Sequence, residues 1–187
     1  MTRTIIVLAG YLVLATAFWF ATPAPQPIKF VPVTEAQIRA EVCREQNQKA
    51  LEAKRKKYER AVLTARLVYR ANRVRETYAE ITAKTALRFG LSPRLLAGVI
   101  VVESHGNPNA KDGLGSIGLM QVNSKVWGHK NDLTNPEINL TIGGRILANY
   151  VHQFGVVEGL HHYNGYSEVH GHVYVNKVLT VAQIVVM

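Results

Sequence analysis

Glu103 has the setting that a general acid requires. It lies seven residues after Leu96, four after Val99 and three after Ile100, in an apolar segment that begins at Pro93. In a helix these residues share the buried face, and Glu103 falls in the last turn, where the helix dipole disfavours a negative charge. Burial and the dipole both raise a carboxyl pKa, which keeps a proton available for a substrate near neutral pH. A glutamate at the rim, open to solvent, is the alternative interpretation.

The elements that must position Glu103 are predicted to be helical. Gly90 is a typical end of one helix, and Ser92 followed by Pro93 is a typical start of the next. Further helices are predicted at about 118–126, 136–154 and 169–186, with a glycine-containing loop at 105–116. No stretch alternates long enough to require a sheet. The predicted fold class is mostly α, with a small helical domain at residues 78–187.

Residues 1–27 are predicted to be a signal or membrane anchor. Arg3 precedes an uncharged, mostly apolar run from Ile5 to Ala21, which just reaches spanning length. The small residues Ala15 and Ala17 fit a cleavage site. The apolar run continues beyond them, however, so we favour an uncleaved anchor through residues 5–21. Either alternative exports the rest of the chain.

Residues 28–77 are predicted to be a proline-rich spacer followed by a basic helical stalk. Thr34 and Gln37 match a capping box, and residues 33–89 contain neither glycine nor proline, so a continuous helix from Thr34 to about Thr77 is expected. Residues 35–90 hold 14 Lys and Arg against 7 Asp and Glu, most of the chain's net charge of +9. A plain thiol on a helix is the favoured interpretation of Cys43, the only cysteine, and self-association through the stalk or Cys43 is the alternative.

Four short motifs follow one another in the C-terminal half. They are Glu103-Ser104 with Asn107-Pro108, residues 118–122 (Gly-Leu-Met-Gln-Val), Tyr163-Asn164-Gly165, and Tyr174 with Val175 and Lys177. Each motif is weak alone, but their order and spacing are specific. The chain resembles the lytic transglycosylases of the soluble-type (SLT) family, which share the goose-type lysozyme fold. The resemblance covers about residues 78–179.

The resemblance implies an enzyme that cleaves peptidoglycan glycan strands between N-acetylmuramic acid and N-acetylglucosamine. Glu103 would act as acid and then as base, closing a 1,6-anhydro ring, with no cofactor and no metal. Gly118 would let the backbone approach the sugar, and two tyrosines would orient Glu103. The implied substrate-binding residues are Ser104, Met120, Gln121, Tyr163, Asn164 and Tyr174. For Met120 and Tyr174, core packing is an equal alternative. The implied role is local opening of the wall, as in a bacteriophage or a secretion or conjugation machine.

Two positions depart from the family pattern. His162 stands where the family usually has alanine. Asp112, six residues before Gly118, is a possible second carboxylate, and an acid near this place in goose-type lysozymes is thought to position water. Two carboxylates with room for water between them favour hydrolysis with inversion. A goose-type muramidase is therefore the alternative enzyme.

Other functions fit the sequence less well. His161, His162, His170 and His172 do not have a recognised zinc spacing, so a surface or groove role is favoured over a metal site. The basic helix could follow nucleic-acid phosphates, but the export segment places it outside the cytoplasm. A non-catalytic wall-binding protein would have no need for Glu103. The expected partners are peptidoglycan and the inner membrane, with the catalytic domain anchored there or in the periplasm.

Overall fold

The computed structural model describes residues 34–127, 132–165 and 168–183, with the backbone alone for residues 168–170. The predicted anchor at residues 1–27 lies outside these ranges. Within them, no helix has both the length and the apolar character needed to cross a membrane.

The first helix, α1, runs from Glu35 to Ala71. Its predicted capping box is confirmed, because the Thr34 N–H donates to the Gln37 side chain at 2.8 Å and the Gln37 N–H donates back to Thr34 Oγ1 at 3.3 Å. The helix ends before the predicted Thr77, at a turn where Arg73 has a left-handed φ of 57°. The chain divides into two units between Gln46 and Asn47, inside this helix.

The two ends of α1 have different surroundings. Residues 34–60 are all exposed, as predicted for a solvated stalk. Residues 61–69 differ, because Ala65, Val68 and Tyr69 are almost fully buried in the hydrophobic core. The last turns of α1 therefore belong to the core, and the stalk prediction is wrong for them.

Four further helices build the core. They are α2 (Ala79–Phe89), α3 (Pro93–Ser104), α5 (Pro136–Tyr163) and α6 (Glu168–Val181), with a short 3-10 helix at Glu76–Tyr78 before α2. Helix α3 packs against both α2 and α6, and all residues from Leu95 to Val101 are buried. The predicted boundaries at Gly90 and Pro93 are confirmed, although Ser92 makes no side-chain capping bond. The predicted mostly helical fold is confirmed.

The prediction of a helix at residues 118–126 is wrong. A small antiparallel hairpin occupies this place, in which β1 (Ser116–Ile117) pairs with β2 (Val122–Asn123), and only α4 (Ser124–Trp127) is helical. Gly118 and Gln121 have φ values of 84° and 45°, which a right-handed helix cannot contain. The segment therefore forms a turn beside the end of α3.

Helix α5 is interrupted at Gly155, where φ is 81° and ψ is 176°. The helix predicted at 136–154 is confirmed up to this break, and a second helical segment continues to Tyr163. This segment folds back on the first, since a Cβ on Gly159 would lie 2.8 Å from the Val151 backbone. The break thus brings residues 160–163 to the side of the molecule that holds Glu103.

Candidate active site

Glu103 lies in the last turn of α3, as predicted, with its carboxyl largely withdrawn from solvent. Burial is the main cause that raises the pKa of this carboxyl from its ordinary value of 4.5 to about 7. A hydrogen bond from Tyr174 and the charge of Lys177 oppose the rise, while the charge of Asp112 adds to it. The carboxyl can therefore be protonated or ionised near neutral pH.

Of the two tyrosines expected to orient Glu103, Tyr174 on α6 contacts it. The Tyr174 hydroxyl donates to Glu103 Oε1 at 2.6 Å. Tyr163 instead donates its hydroxyl to the carbonyl oxygen of Met120 at 2.7 Å. Burial raises the pKa of both tyrosines well above the usual range, and the negative charge of Glu103 adds to this. Both hydroxyls therefore remain protonated donors.

Glu103 borders two grooves. The first, which we call the catalytic groove, has a volume of about 530 Å³, and its lining includes Asp112, Gln121, His162, Tyr163 and Asn164. The second, the lysine groove, has a volume of about 490 Å³ and is lined by Glu103 with His105, Lys111, Gln121 and Lys177 among others. Glu103 and Gln121 thus lie where the two grooves meet.

Gln121 uses only half of its side-chain amide within the protein. Its NH2 group donates to the carbonyl oxygens of Ala110 at 3.1 Å and Gly118 at 3.0 Å. Its amide oxygen accepts no hydrogen bond from the described residues and remains available to a donor on a ligand. Asn164 is exposed at the end of α5 and lines the catalytic groove, so its predicted contact with substrate is sterically open.

Three other predicted residues make contacts within the protein, although one of them, Ser104, also lines the lysine groove. Met120 is fully buried, and its backbone N–H donates to Asn139 Oδ1 at 2.8 Å. The Ser104 hydroxyl lies 2.8 Å from the carbonyl oxygen of Leu119, which ties the end of α3 to the turn. A Cβ on Gly118 would overlap Asn139, so this glycine permits packing inside the protein rather than approach to a sugar. For Met120, core packing is therefore the interpretation that the structure supports.

Asp112 lines the catalytic groove but has surroundings opposite to those of Glu103. Its Oδ1 accepts the backbone N–H groups of Leu114, Gly115 and Ser116 at 2.7–2.9 Å. Hydrogen bonds from Ser116 are the main cause that holds the pKa of this exposed carboxyl below its usual value. The groove therefore pairs Glu103, whose pKa is raised, with a carboxyl whose pKa is lowered.

Among the described histidine side chains, His161 and His162 have different ring neighbours. His161 is buried with its ring edge-on to His172, the centroids 4.8 Å apart. The ring of His162 stacks on Phe154 at 4.2 Å and on Tyr150 at 5.5 Å between ring centres. His162 also lines the catalytic groove, so a histidine in place of the usual alanine adds a ring to the wall of that groove. The side chain of His170 lies outside the described residues. In the parts of the chain that the structure describes, no three potential metal ligands come together.

Asn139 supports the site, although the sequence did not indicate it. This fully buried side chain on α5 accepts from Met120 N and donates to the carbonyl oxygens of Ile117 at 2.8 Å and Leu133 at 2.9 Å. It thereby holds the turn beside Glu103. Trp127 was not predicted either; it is half exposed on the catalytic groove, and its aromatic residue type is the only signal that the sequence offers for it.

Comparison with known proteins decides the family. The family model described as "Transglycosylase SLT domain" matches residues 80–174, which are 95 of the 187 residues. The chain belongs to the SLT domain family. The predicted recognition is confirmed, and Glu103, Asp112 and Tyr174 all lie within the matched part of this SLT domain. Lys177 lies just after it.

Curated relatives share the name "Endo-type membrane-bound lytic murein transglycosylase A". The one from Cronobacter sakazakii is 34% identical over 93 residues, which cover 43% of this chain and 45% of the relative. The Enterobacter sp. relative is 32% identical over the same coverage, and that from Citrobacter koseri is 32% identical over 81 residues, or 36% and 40% of the two chains. The SLT chain thus aligns with less than half the length of these relatives. No solved structure matches it.

Proposed function

We propose that this SLT domain is a peptidoglycan lytic transglycosylase, with Glu103 as its single acid and base. The observation that carries the proposal is the Glu103 carboxyl, whose pKa is about 7 and which lies where two grooves meet. A group with a pKa near the working pH can both give and take a proton. The relatives named as lytic murein transglycosylases support the same activity.

In the first step the protonated Glu103 carboxyl donates its proton to the glycosidic oxygen. The bond between this oxygen and C1 of N-acetylmuramic acid breaks, and N-acetylglucosamine leaves with a free 4-hydroxyl group. Tyr174 keeps its hydrogen bond to Glu103 Oε1. Because a hydrogen bond to a carboxylate favours the charged form, it stabilises the ion that the proton transfer leaves behind.

In the second step the Glu103 carboxylate takes the proton of the muramic 6-hydroxyl. The 6-oxygen bonds to C1, which closes the 1,6-anhydro ring and returns Glu103 to its protonated form. No water enters the product, and no second carboxylate is needed, in contrast to most glycosidases. The free amide oxygen of Gln121, on both grooves, is suited to accept from a substrate hydroxyl or acetamido N–H.

The position of Glu103 also supports cleavage inside a glycan strand. The catalytic groove and the lysine groove both border Glu103, so a strand can extend on either side of the broken bond. The curated relatives are named endo-type, in agreement with this geometry. We therefore expect internal cleavage, which yields long fragments first.

The test is digestion of purified peptidoglycan followed by mass spectrometry of the released fragments. The unmodified protein is expected to produce 1,6-anhydromuramic ends, and Glu103→Gln to lower the rate by at least about 100-fold, the usual contribution of a general acid. Glu158→Gln, which changes an exposed glutamate on α5, is the matched control and should keep full activity. Wall binding without release by the unmodified protein would favour a non-catalytic binding protein.

Hydrolysis is the second candidate, and Asp112 on the catalytic groove is the observation that favours it. An ionised carboxylate across a groove from an acid can activate water, which would give reducing muramic ends. The three backbone N–H groups that Asp112 Oδ1 accepts reduce its strength as a base, so we place this goose-type activity second. The chemistry of the new ends distinguishes the two reactions.

We further propose that the enzyme acts from the inner membrane, anchored through residues 5–21, with its catalytic domain in the periplasm. The relatives named as membrane-bound support a location at the envelope. We also propose that the chain can associate with itself through the exposed residues 34–60, which include Cys43. The anchor is tested by membrane fractionation of cells that express the chain with and without residues 1–27. We expect the membrane-bound fraction to be lost when residues 1–27 are deleted.

A further inference from the structure

We propose that a side groove next to the catalytic groove binds the peptide stem of peptidoglycan and that Arg145 receives a carboxylate of that stem. The inference rests on the proposed function, because it requires a peptidoglycan strand in the catalytic groove. It adds the peptide to the glycan as a second element that the enzyme recognises.

The side groove branches from the catalytic groove. It has a volume of about 480 Å³ and shares Trp127, Ile146 and Tyr150 with the catalytic groove. A branch of a ligand whose main chain lies beside Glu103 can therefore enter it without crossing the protein. Peptidoglycan has such branches, since each muramic acid residue of the glycan carries a short peptide.

The lining of the side groove matches a peptide better than a sugar. Its apolar part is formed by Trp127, Ile142 and Ile146, and its polar part by the amides of Asn149 and Gln153 with the guanidinium of Arg145. No acidic side chain is among these lining residues. A stem peptide combines methyl groups, amide bonds and free carboxylates, whereas an uncharged sugar would leave the guanidinium without a charged partner.

The charge around Arg145 is suited to an anion. Arg145 is exposed and makes no ion pair with any described residue, and its guanidinium carbon lies 5.9 Å from the centre of the Phe89 ring. The guanidinium of Arg88 lies 5.3 Å from the same ring and likewise has no ion pair in the described ranges. Two unpaired guanidinium groups at one ring create a local positive potential that attracts a carboxylate.

The test is a binding measurement with the full chain carrying Glu103→Gln, so that the ligand stays intact. The probes are purified glycan strands with their stems and the same strands stripped of stems by an amidase, with the lactyl carboxylate that the amidase leaves converted to its uncharged methylamide. The stem-bearing strands are expected to bind roughly tenfold more tightly, the contribution of one charge-assisted pair with amide contacts. Adding Arg145→Gln should reduce this preference to about twofold and leave the affinity for stripped strands unchanged.

Arg88→Gln is the matched control. It removes the same charge beside the same Phe89 ring, but Arg88 does not line the side groove. The preference for stem-bearing strands should therefore survive in this variant. If Arg88→Gln and Arg145→Gln reduced the preference for stem-bearing strands equally, the proposal would be overturned. Such a result would show a general attraction between charges rather than binding at a site.

A second variant tests the space instead of the charge. Asn149→Trp places a large ring at an exposed position of the side groove. It should weaken binding of stem-bearing strands and spare stripped strands; weaker binding of both would mean that sugars fill the groove and would overturn the proposal. Equal affinity of the parent protein for both probes would overturn it too. A failure to cleave peptidoglycan would instead contradict the proposed function, since these measurements need no cleavage.

Discussion

The hydroxyl of Tyr174 on α6 donates a 2.6 Å hydrogen bond to Oε1 of Glu103 at the end of α3. The two residues are 71 positions apart, and the bond joins two helices that pack against each other. It fixes one oxygen of the carboxyl and leaves the other to hold the proton. It also opposes the burial that raises the Glu103 pKa to about 7.

Tyr174→Phe should move the pH profile of cleavage to higher pH. The hydrogen bond favours the carboxylate, so its loss raises the pKa of Glu103 further. Because the first step needs protonated Glu103, activity falls above this pKa, and the alkaline limb of kcat/KM against pH should shift upward while the maximal rate falls. An unchanged alkaline limb would show that another group limits the rate.

Asp112→Asn should move the same limb in the opposite direction. The negative charge of Asp112 raises the pKa of Glu103, so removing it lowers that pKa and brings the loss of activity to lower pH. The amide oxygen of asparagine can still accept the three backbone N–H groups of the turn. Anhydromuramic ends should still form, as fragment analysis can check. Abolition of all cleavage in a folded variant would instead assign Asp112 a catalytic role.

Glu103→Gln should become more stable relative to the unmodified protein as pH rises. The pKa of Glu103 is about 7 in the folded protein against an ordinary 4.5, so the folded state binds the proton more tightly. The tighter binding of this proton stabilises the folded protein fully below about pH 4.5, and the stabilisation is lost as pH rises through about 7. The change amounts to about 3 kcal/mol at roughly 1.4 kcal/mol per pKa unit. Glutamine does not titrate. Urea unfolding of both proteins at pH 4.5 and 8 measures this difference, and a constant difference would contradict the burial.

Asn139→Ala should destabilise the protein by about 2–4 kcal/mol, since it leaves the buried N–H of Met120 and two carbonyl oxygens without their partner. Asn149→Ala, at an exposed position on the same helix, is the control and should change the free energy of unfolding by at most about 0.5 kcal/mol. Chemical denaturation compares the two. Similar values for both variants would contradict the assigned role of Asn139.

The position and ionisation of Glu103 could be predicted because their causes are local. The apolar spacing from Leu96 to Ile100 places Glu103 on the buried face, and Gly90 and Pro93 set the helix boundaries. The contact with Tyr174 depends on the packing of α6 against α3, and only the family resemblance indicated it. Periodicity in one helix carries no information about a partner 71 residues away.

The turn at residues 118–121 could not be predicted for a related reason. Met120 and Gln121 are good helix formers, but Gln121 has a φ of 45°. A glutamine residue does not predict this left-handed conformation. The turn is held by Asn139, whose partners lie 6, 19 and 22 residues away. An asparagine inside a helix gives no sign of such contacts, so tertiary hydrogen bonds overrode the local helical preference.

Digestion of peptidoglycan in water enriched in oxygen-18 tests the central claim most directly, since only hydrolysis adds water to the new muramic end. Mass spectrometry should find unlabelled 1,6-anhydromuramic ends, formed by the unmodified protein and lost in Glu103→Gln. Reducing muramic ends that carry oxygen-18 would contradict the account and assign the chain the muramidase reaction.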